Sequence, residues 1–309
     1  GGKTFMKFLK ALFVGILSFT LVACATNQES EAITVMTPMG ATALSMLGLY
    51  DDEKVTIDTV DGSDALSAQL HKKDGYDVIV APINLGAKLI STGKTEYVLH
   101  SIVTWGNLYI VGTDEAALTQ EGNFAAFGEG AVPQKVLTSA FDMENMVPTI
   151  TYYNSVNDVQ AQLLTGKAKI GMLAEPAATA TIAKAKEKNI ELKVLKDLQK
   201  EYSGKLNLES EGYPQAAVFV RKDSLEKSEA YLEKAATFVN ETAVKKEEAI
   251  NTAVEAATTE KLGVPSSEIA VKTWKRQNIH FVKANTVKKD IDTFLEQFKI
   301  TLDSAYYAK

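Results

Sequence analysis

Apolar residues recur in short runs along this chain, and two stretches share one pattern. Residues 150–153 form a short β-branched and aromatic run, with Asn154 and Ser155 following as turn or cap residues. Val156, Val159, Leu163 and Leu164 then fall near helical spacing, so Val156–Leu164 is expected to be an amphipathic helix. Gly166 ends it. Residues 169–173 fit a buried strand, and Pro176 can open the next helix. Strand, helix, strand, helix is the unit of a parallel α/β sheet. Residues 63–88 repeat the device as a helix, a glycine, a buried strand and Pro82. Pro82 and Pro176 stand 94 residues apart, so two similar α/β lobes are expected. Ligands of open α/β sheets lie beyond the carboxyl ends of the strands. Here those ends are residues 81–84 and 174–176, and the pattern predicts that they face one another across a cleft.

The remaining elements follow from the same reading. Residues 32–36 form a strand, Thr37, Pro38, Met39 and Gly40 a loop, and 41–49 a helix. Val55–Val60 is a strand, 63–71 a helix with Ser63 as cap, and 76–81 a third strand. Residues 97–111 are long and strand-like, interrupted at Trp105 and Gly106, and are expected to cross between lobes. In the second lobe, 124–127 is a strand, and 128–133 lead into a helix over 134–141. A strand over 190–195, a short helix over 196–202 and a polar loop over 203–211 come after the central stretch. Tyr213, Pro214 and Gln215 precede a return strand at 216–220. Helices are expected over 225–259, 266–277 and 287–305. The Lys/Glu runs in 225–260 are expected to be solvated helix faces. Lobe one is therefore placed at 32–111 and 212–309, and lobe two at 112–211.

A length of 309 residues suits two domains. The formal net charge is −6; residues 1–23 hold Lys3, Lys7 and Lys10 and no acid, which leaves −9 on the remainder. An acidic body argues against nucleic acid as a partner. The N-terminus carries an address. Lys7 and Lys10 follow Met6, the expected initiator, and precede a 13-residue, mainly apolar stretch at 11–23, too short to span a bilayer comfortably. Residues 1–23 are expected to be a signal peptide. The run ends in Leu21, Val22, Ala23 and Cys24, which resembles the bacterial lipobox. That resemblance implies lipidation of Cys24, the single cysteine, and a membrane anchor through it. Residues 24–31 are polar and aperiodic, as a tether would be.

Enzyme signatures are scarce. There is no Gly-x-Ser-x-Gly elbow, Walker motif or His-Glu-x-x-His. His71, His100 and His280 lack metal-ligand spacing, and no metal or cofactor is expected. Gly128, Glu129 and Gly130 lie between a strand and a helix. They are either a cradle for an anion or polarised carbonyl or a plain flexible connection. Trp105 is either a ligand platform or a core side chain. Asn84, Asn107, Asn154 and Tyr213 are neutral hydrogen-bonding residues near strand ends. Glu175 is the sharpest charge at the predicted mouth; facing a ligand, it would favour an amine or cation, and otherwise it merely answers a helix dipole. Arg221 and Arg276 are the only arginines, so no bidentate anion clamp is evident.

The lipobox, the two lobes, the run from Leu173 through Ala174 and Glu175 to Pro176, and Tyr213-Pro214-Gln215-Ala216 before a crossing strand resemble one family. It is the solute-binding lipoproteins of ABC importers, in the nitrate/sulfonate/taurine and thiamine-pyrimidine group. The resemblance implies a type II periplasmic-binding-protein fold: two α/β lobes, two crossing strands and ligand at the interface. It implies ligand contacts from Thr37, Pro38, Met39, Gly40, Asn84, Trp105, Asn107, Gly128, Gly130, Asn154, Ser155 and Glu175, to which the strand-end reading adds Tyr213. A monomer delivering a small molecule to a permease and its ATPase is the expected role. Same-fold enzymes of the pyrimidine-synthase or lyase type, and sensors docking on a receptor, are the alternatives.

Overall fold

The computed structural model describes residues 29–309. The expectations for the signal peptide and Cys24 lie outside the described residues. From Glu31 to Lys309 the chain forms one compact unit.

The chain begins β1 (Ile33–Pro38), α1 (Ala41–Leu44), β2 (Val55–Val60), α2 (Asp64–Leu70), β3 (Val78–Pro82) and α3 (Ile83–Ser91). Then β4 (Tyr97–Thr104) runs into β5 (Leu108–Gly112). Next come β6 (Asn123–Phe127), α4 (Val132–Ala140), β7 (Thr149–Tyr153), α5 (Val156–Leu164), β8 (Ile170–Ala174), α6 (Ala177–Glu187), β9 (Lys193–Asp197) and α7 (Leu198–Leu206). After β10 (Ala216–Arg221) the chain is largely helical: α8 (Leu225–Thr237), α9 (Ala243–Lys245), α10 (Glu247–Ala257), α11 (Thr259–Leu262) and α12 (Ser267–Thr273). It closes with β11 (Ile279–Lys283) and α13 (Lys288–Glu296).

Two mixed sheets result. The first has the order β11-β4-β10-β3-β1-β2 and the second β7-β6-β8-β5-β9. Both contain a parallel core, β2-β1-β3 and β7-β6-β8, built from the repeated strand-helix unit. Both also receive an antiparallel strand from a crossing, β10 on β3 and β5 on β8. The chain passes from the first sheet to the second through Trp105, Gly106 and Asn107, and returns through the segment after α7.

The two crossings lie against one another. Tyr213 N–H donates to Trp105 O at 3.1 Å and Gln215 N–H to Thr104 O at 3.1 Å. At Gly212, φ is +91° and an added Cβ would sit 1.9 Å from the Trp105 oxygen, so only glycine fits.

Behind the crossings one apolar cluster is continuous from the first sheet to the second. Phe294 of α13 stacks on Tyr213 at 5.7 Å and meets Tyr202 of α7 edge-on at 6.1 Å. Separate clusters fill the outer face of each sheet. The lobes therefore share a wall of core at the rear.

Several boundaries differ from the sequence reading. β11 was not foreseen, because Ile279–Lys283 is a single short run; only pairing with β4 defines it. The final helix stops at Glu296 instead of 305, after which Lys299 takes a positive φ. α7 reaches into the predicted polar loop as far as Leu206, which packs against the core cluster that holds Leu198 and Tyr202. The strand expected at 190–195 is shifted to Lys193–Asp197 by pairing with β5.

Candidate functional site

Register brings the strand ends of both sheets to one place. In the first sheet Ala216 pairs with Pro82 on one side and Thr104 on the other. In the second, Leu108 lies opposite Ala174. β1 ends at Pro38 and β6 at Phe127. All seven residues line one cavity of about 460 Å³. Small-molecule sites have this size and this position beyond the carboxyl ends of parallel strands.

The lining is largely apolar, with Met39, Leu85, Leu108, Phe127, Val132 and Pro133 among its members. Its polar side chains are Thr42, Ser63, Asn84, Thr104, Asn107 and Gln215. No charged side chain is among the lining residues. Three of these six side chains are engaged within the protein. Gln215 Nε2 donates to Asn107 Oδ1 at 3.1 Å, and Asn107 Nδ2 donates to Glu175 O at 2.9 Å. The Thr42 hydroxyl donates to Pro38 O at 2.7 Å. Two atoms stand apart: Asn84 Oδ1 and Thr104 Oγ1 are buried and have no partner. Buried polar atoms are nearly always paired, so both are open to a partner that enters the cavity.

Of the residues singled out in the sequence, Pro38, Met39, Asn84, Asn107 and Gly128 line this cavity. The others are placed elsewhere. Thr37 is fully buried. Gly40 N–H donates to Leu262 O at 2.8 Å and Met39 N–H to Val60 O at 2.9 Å, so these loop donors are consumed within the protein. Gly130 N–H donates to Gln134 Oε1 at 2.6 Å, and Ala131 N–H to Gly128 O at 3.0 Å. The expected glycine cradle is thus closed on itself. Asn154 is exposed, and Ser155 accepts from Asp158 N–H as the cap of α5. Tyr213 is buried, and its hydroxyl donates to Gln199 Oε1 at 2.9 Å. Burial pushes its phenol well above the usual tyrosine range.

Trp105 and Glu175 belong to the joint between lobes, not to the cavity. Trp105 stacks on His280 with centroids 5.2 Å apart, and its Nε1 donates to His280 O at 3.2 Å. Glu175 is 2% exposed and accepts from Thr179 N–H at 3.0 Å, from the Thr179 hydroxyl at 2.8 Å and from Arg276. The Arg276 guanidinium also lies 5.2 Å from the Tyr109 ring centre. The carboxylate is answered by a cation from the opposite lobe, so it offers no free charge to an amine. Sequence could not reveal this pairing, because 101 positions separate the two residues.

Thr104, Gln215, Thr42, Ser63 and Phe127 line the cavity and were not singled out. Thr104 and Phe127 carry one faint signal: each is the last residue of a strand that ends at the predicted cleft. Among the described residues no three metal-ligating side chains converge, and no helix is long and apolar enough to cross a membrane.

No family model matches the chain, and no curated protein is similar to it in sequence. Solved structures are similar in fold. An ABC transporter structure from Parabacteroides distasonis superposes with a TM-score of 0.75 at 19% identity, over 90% of this chain and 99% of that one. The periplasmic aliphatic sulphonate binding protein SsuA of Escherichia coli gives 0.62 at 14% identity, over 87% of each chain. The ligand-binding component of an ABC-type import system from Staphylococcus aureus, with zinc bound, gives 0.60 at 13%, over 90% and 96%. This is the type II periplasmic-binding-protein fold. In this periplasmic-binding-protein fold, the described cavity occupies the interface between lobes, beside both crossings.

Proposed function

We propose that this chain is the extracytoplasmic solute-binding lipoprotein of an ABC importer. One observation carries the reading: a cavity of about 460 Å³ is assembled from strand ends of both lobes, with two buried polar atoms left open for a guest. A ligand touching both lobes favours the closed arrangement by the difference in its affinity for the two states. Micromolar capture corresponds to about 8 kcal/mol, within reach of one enclosed apolar body and a few buried hydrogen bonds. The closed form then docks on a membrane permease with its ATPase. Lobe one is 32–111 with 212–309, lobe two is 112–211, and the protein acts as a monomer held at the extracytoplasmic face of the cell membrane through Cys24.

The cavity lining holds no titratable side chain, which supports capture over turnover. The test is recovery of bound ligand. A small molecule retained by the purified protein and returned with unchanged mass after hours fits capture. Steady conversion to a product contradicts it.

A further inference from the structure

We infer that the cavity selects an uncharged small molecule carrying an N–H or O–H donor, placed against Asn84 Oδ1 and Thr104 Oγ1; this rests on the capture reading above. Three observations lead there. First, no charged side chain lines the cavity. A buried ion needs a partner of opposite sign, and a bidentate arginine is the usual partner for nitrate- or sulfonate-like groups. Arg276 is committed to Glu175, and Arg221 pairs with Asp77 and Asp223 far along β10. Neither lines the cavity. Nor is a carboxylate available for an amine, since Glu175 is already met by Arg276.

Second, of the three helix starts beside the cavity only α3 leaves N–H groups open. The N-terminal loop of α4 folds onto itself through Gln134 Oε1, and Pro133 has no N–H to offer. α1 has only four residues. In α3 the first N–H, that of Ile83, already donates to Gln215 O at 3.0 Å. The next two, Asn84 and Leu85, are those a helix start leaves open.

Third, the unpartnered atoms have a specific sense. Asn84 Oδ1 accepts only, and Thr104, 1% exposed, can accept or donate through its hydroxyl. With its own Nδ2 and the open N–H pair of α3 beside it, Asn84 Oδ1 makes this corner a mixed donor and acceptor set, which suits a guest that both donates and accepts. A group that gives a donor to Asn84 Oδ1 and an acceptor to the open N–H pair is an amide, lactam, imide or urea. The apolar walls at Leu85, Leu108 and Phe127 enclose the rest of such a molecule.

The experiment uses the purified chain and two probe sets, read by calorimetric titration. Uracil, 2-pyrrolidone and nicotinamide represent the uncharged donors; nitrate and ethanesulfonate represent the anions. The expected result is binding from the first set only. Thr104→Val, which keeps shape, should weaken it roughly tenfold. Asn84→Asp preserves the acceptor, so an uncharged donor should stay bound within about tenfold, whereas Asn84→Leu should cost more than that. Anion binding that Asn84→Asp abolishes overturns the ligand class and leaves capture standing. If neither set binds, the ligand class as stated fails, and capture then stands or falls on the recovery experiment above.

Discussion

Arg276, in the turn before β11, donates to Glu175 at the end of β8, and so joins the first sheet's C-terminal helices to the second sheet. The Glu175 side chain is fully enclosed, while that of Arg276 is 43% exposed. Removing one partner of a buried pair strands the other's charge, at a cost of about 3 kcal/mol. Arg276→Ala should therefore destabilise the fold by roughly 2–3 kcal/mol, the exposed half of the pair moderating the loss. Glu175→Gln, whose one carbonyl oxygen can still accept from Thr179 N–H and which strands only the half-exposed Arg276, should cost less. Urea denaturation compares them; equal and negligible losses would mean that the pair is not structural.

Gly212 allows the crossings to touch. A methyl group there would overlap the Trp105 oxygen at 1.9 Å and force a side chain into positive φ. Gly212→Ala should lower stability by more than about 2 kcal/mol. A melting temperature within one degree of the parent would show that the crossings yield more readily than their geometry indicates.

Thr104 separates stability from function. Its buried hydroxyl has no partner, so Thr104→Val should leave the ligand-free protein as stable or raise it by up to about 1 kcal/mol. Thermal melting without ligand checks this. A clear loss of stability would show that the hydroxyl bonds within the protein.

His100 sets a pH dependence. Its Nδ1 lies 2.7 Å from Ser101 Oγ and its Nε2 2.8 Å from Glu229. Burial lowers its pKa, and the Glu229 hydrogen bond and charge only partly oppose this, with Lys283 adding to the lowering. The unfolded chain then takes up the proton first as pH falls, so stability is complete above the ordinary histidine value of about 6.5 and erodes below it. Unfolding free energy should be greater at pH 7.5 than at 5.5, and His100→Gln should flatten the slope. An unchanged slope in that variant would place the titration elsewhere.

Much of the fold was legible in the chain because the repeated helix, glycine, strand and proline is a local signal. Short-range periodicity located Val156–Leu164 and both proline-marked strand ends; Pro82, Asn84 and Ala174 of those ends line the cavity, whereas Glu175 and Pro176 do not. The loop at Gly128–Gly130 was legible as a turn but not as one that satisfies its own donors, since that depends on the rotamer of Gln134. β11 could be assigned only after its neighbour β4 was in place.

The amino-acid order by itself determined two α/β units and the crossings between them, because hydrophobic period and glycine and proline positions act within a few residues. The tertiary structure alone decided which side chains are free. Glu175 is paired with Arg276, Trp105 is taken up by the joint and Tyr213 by the rear core, while Thr104 and Asn84 are left facing the cavity. Partners separated by about a hundred positions are chosen by packing, and packing leaves no periodic trace along the chain.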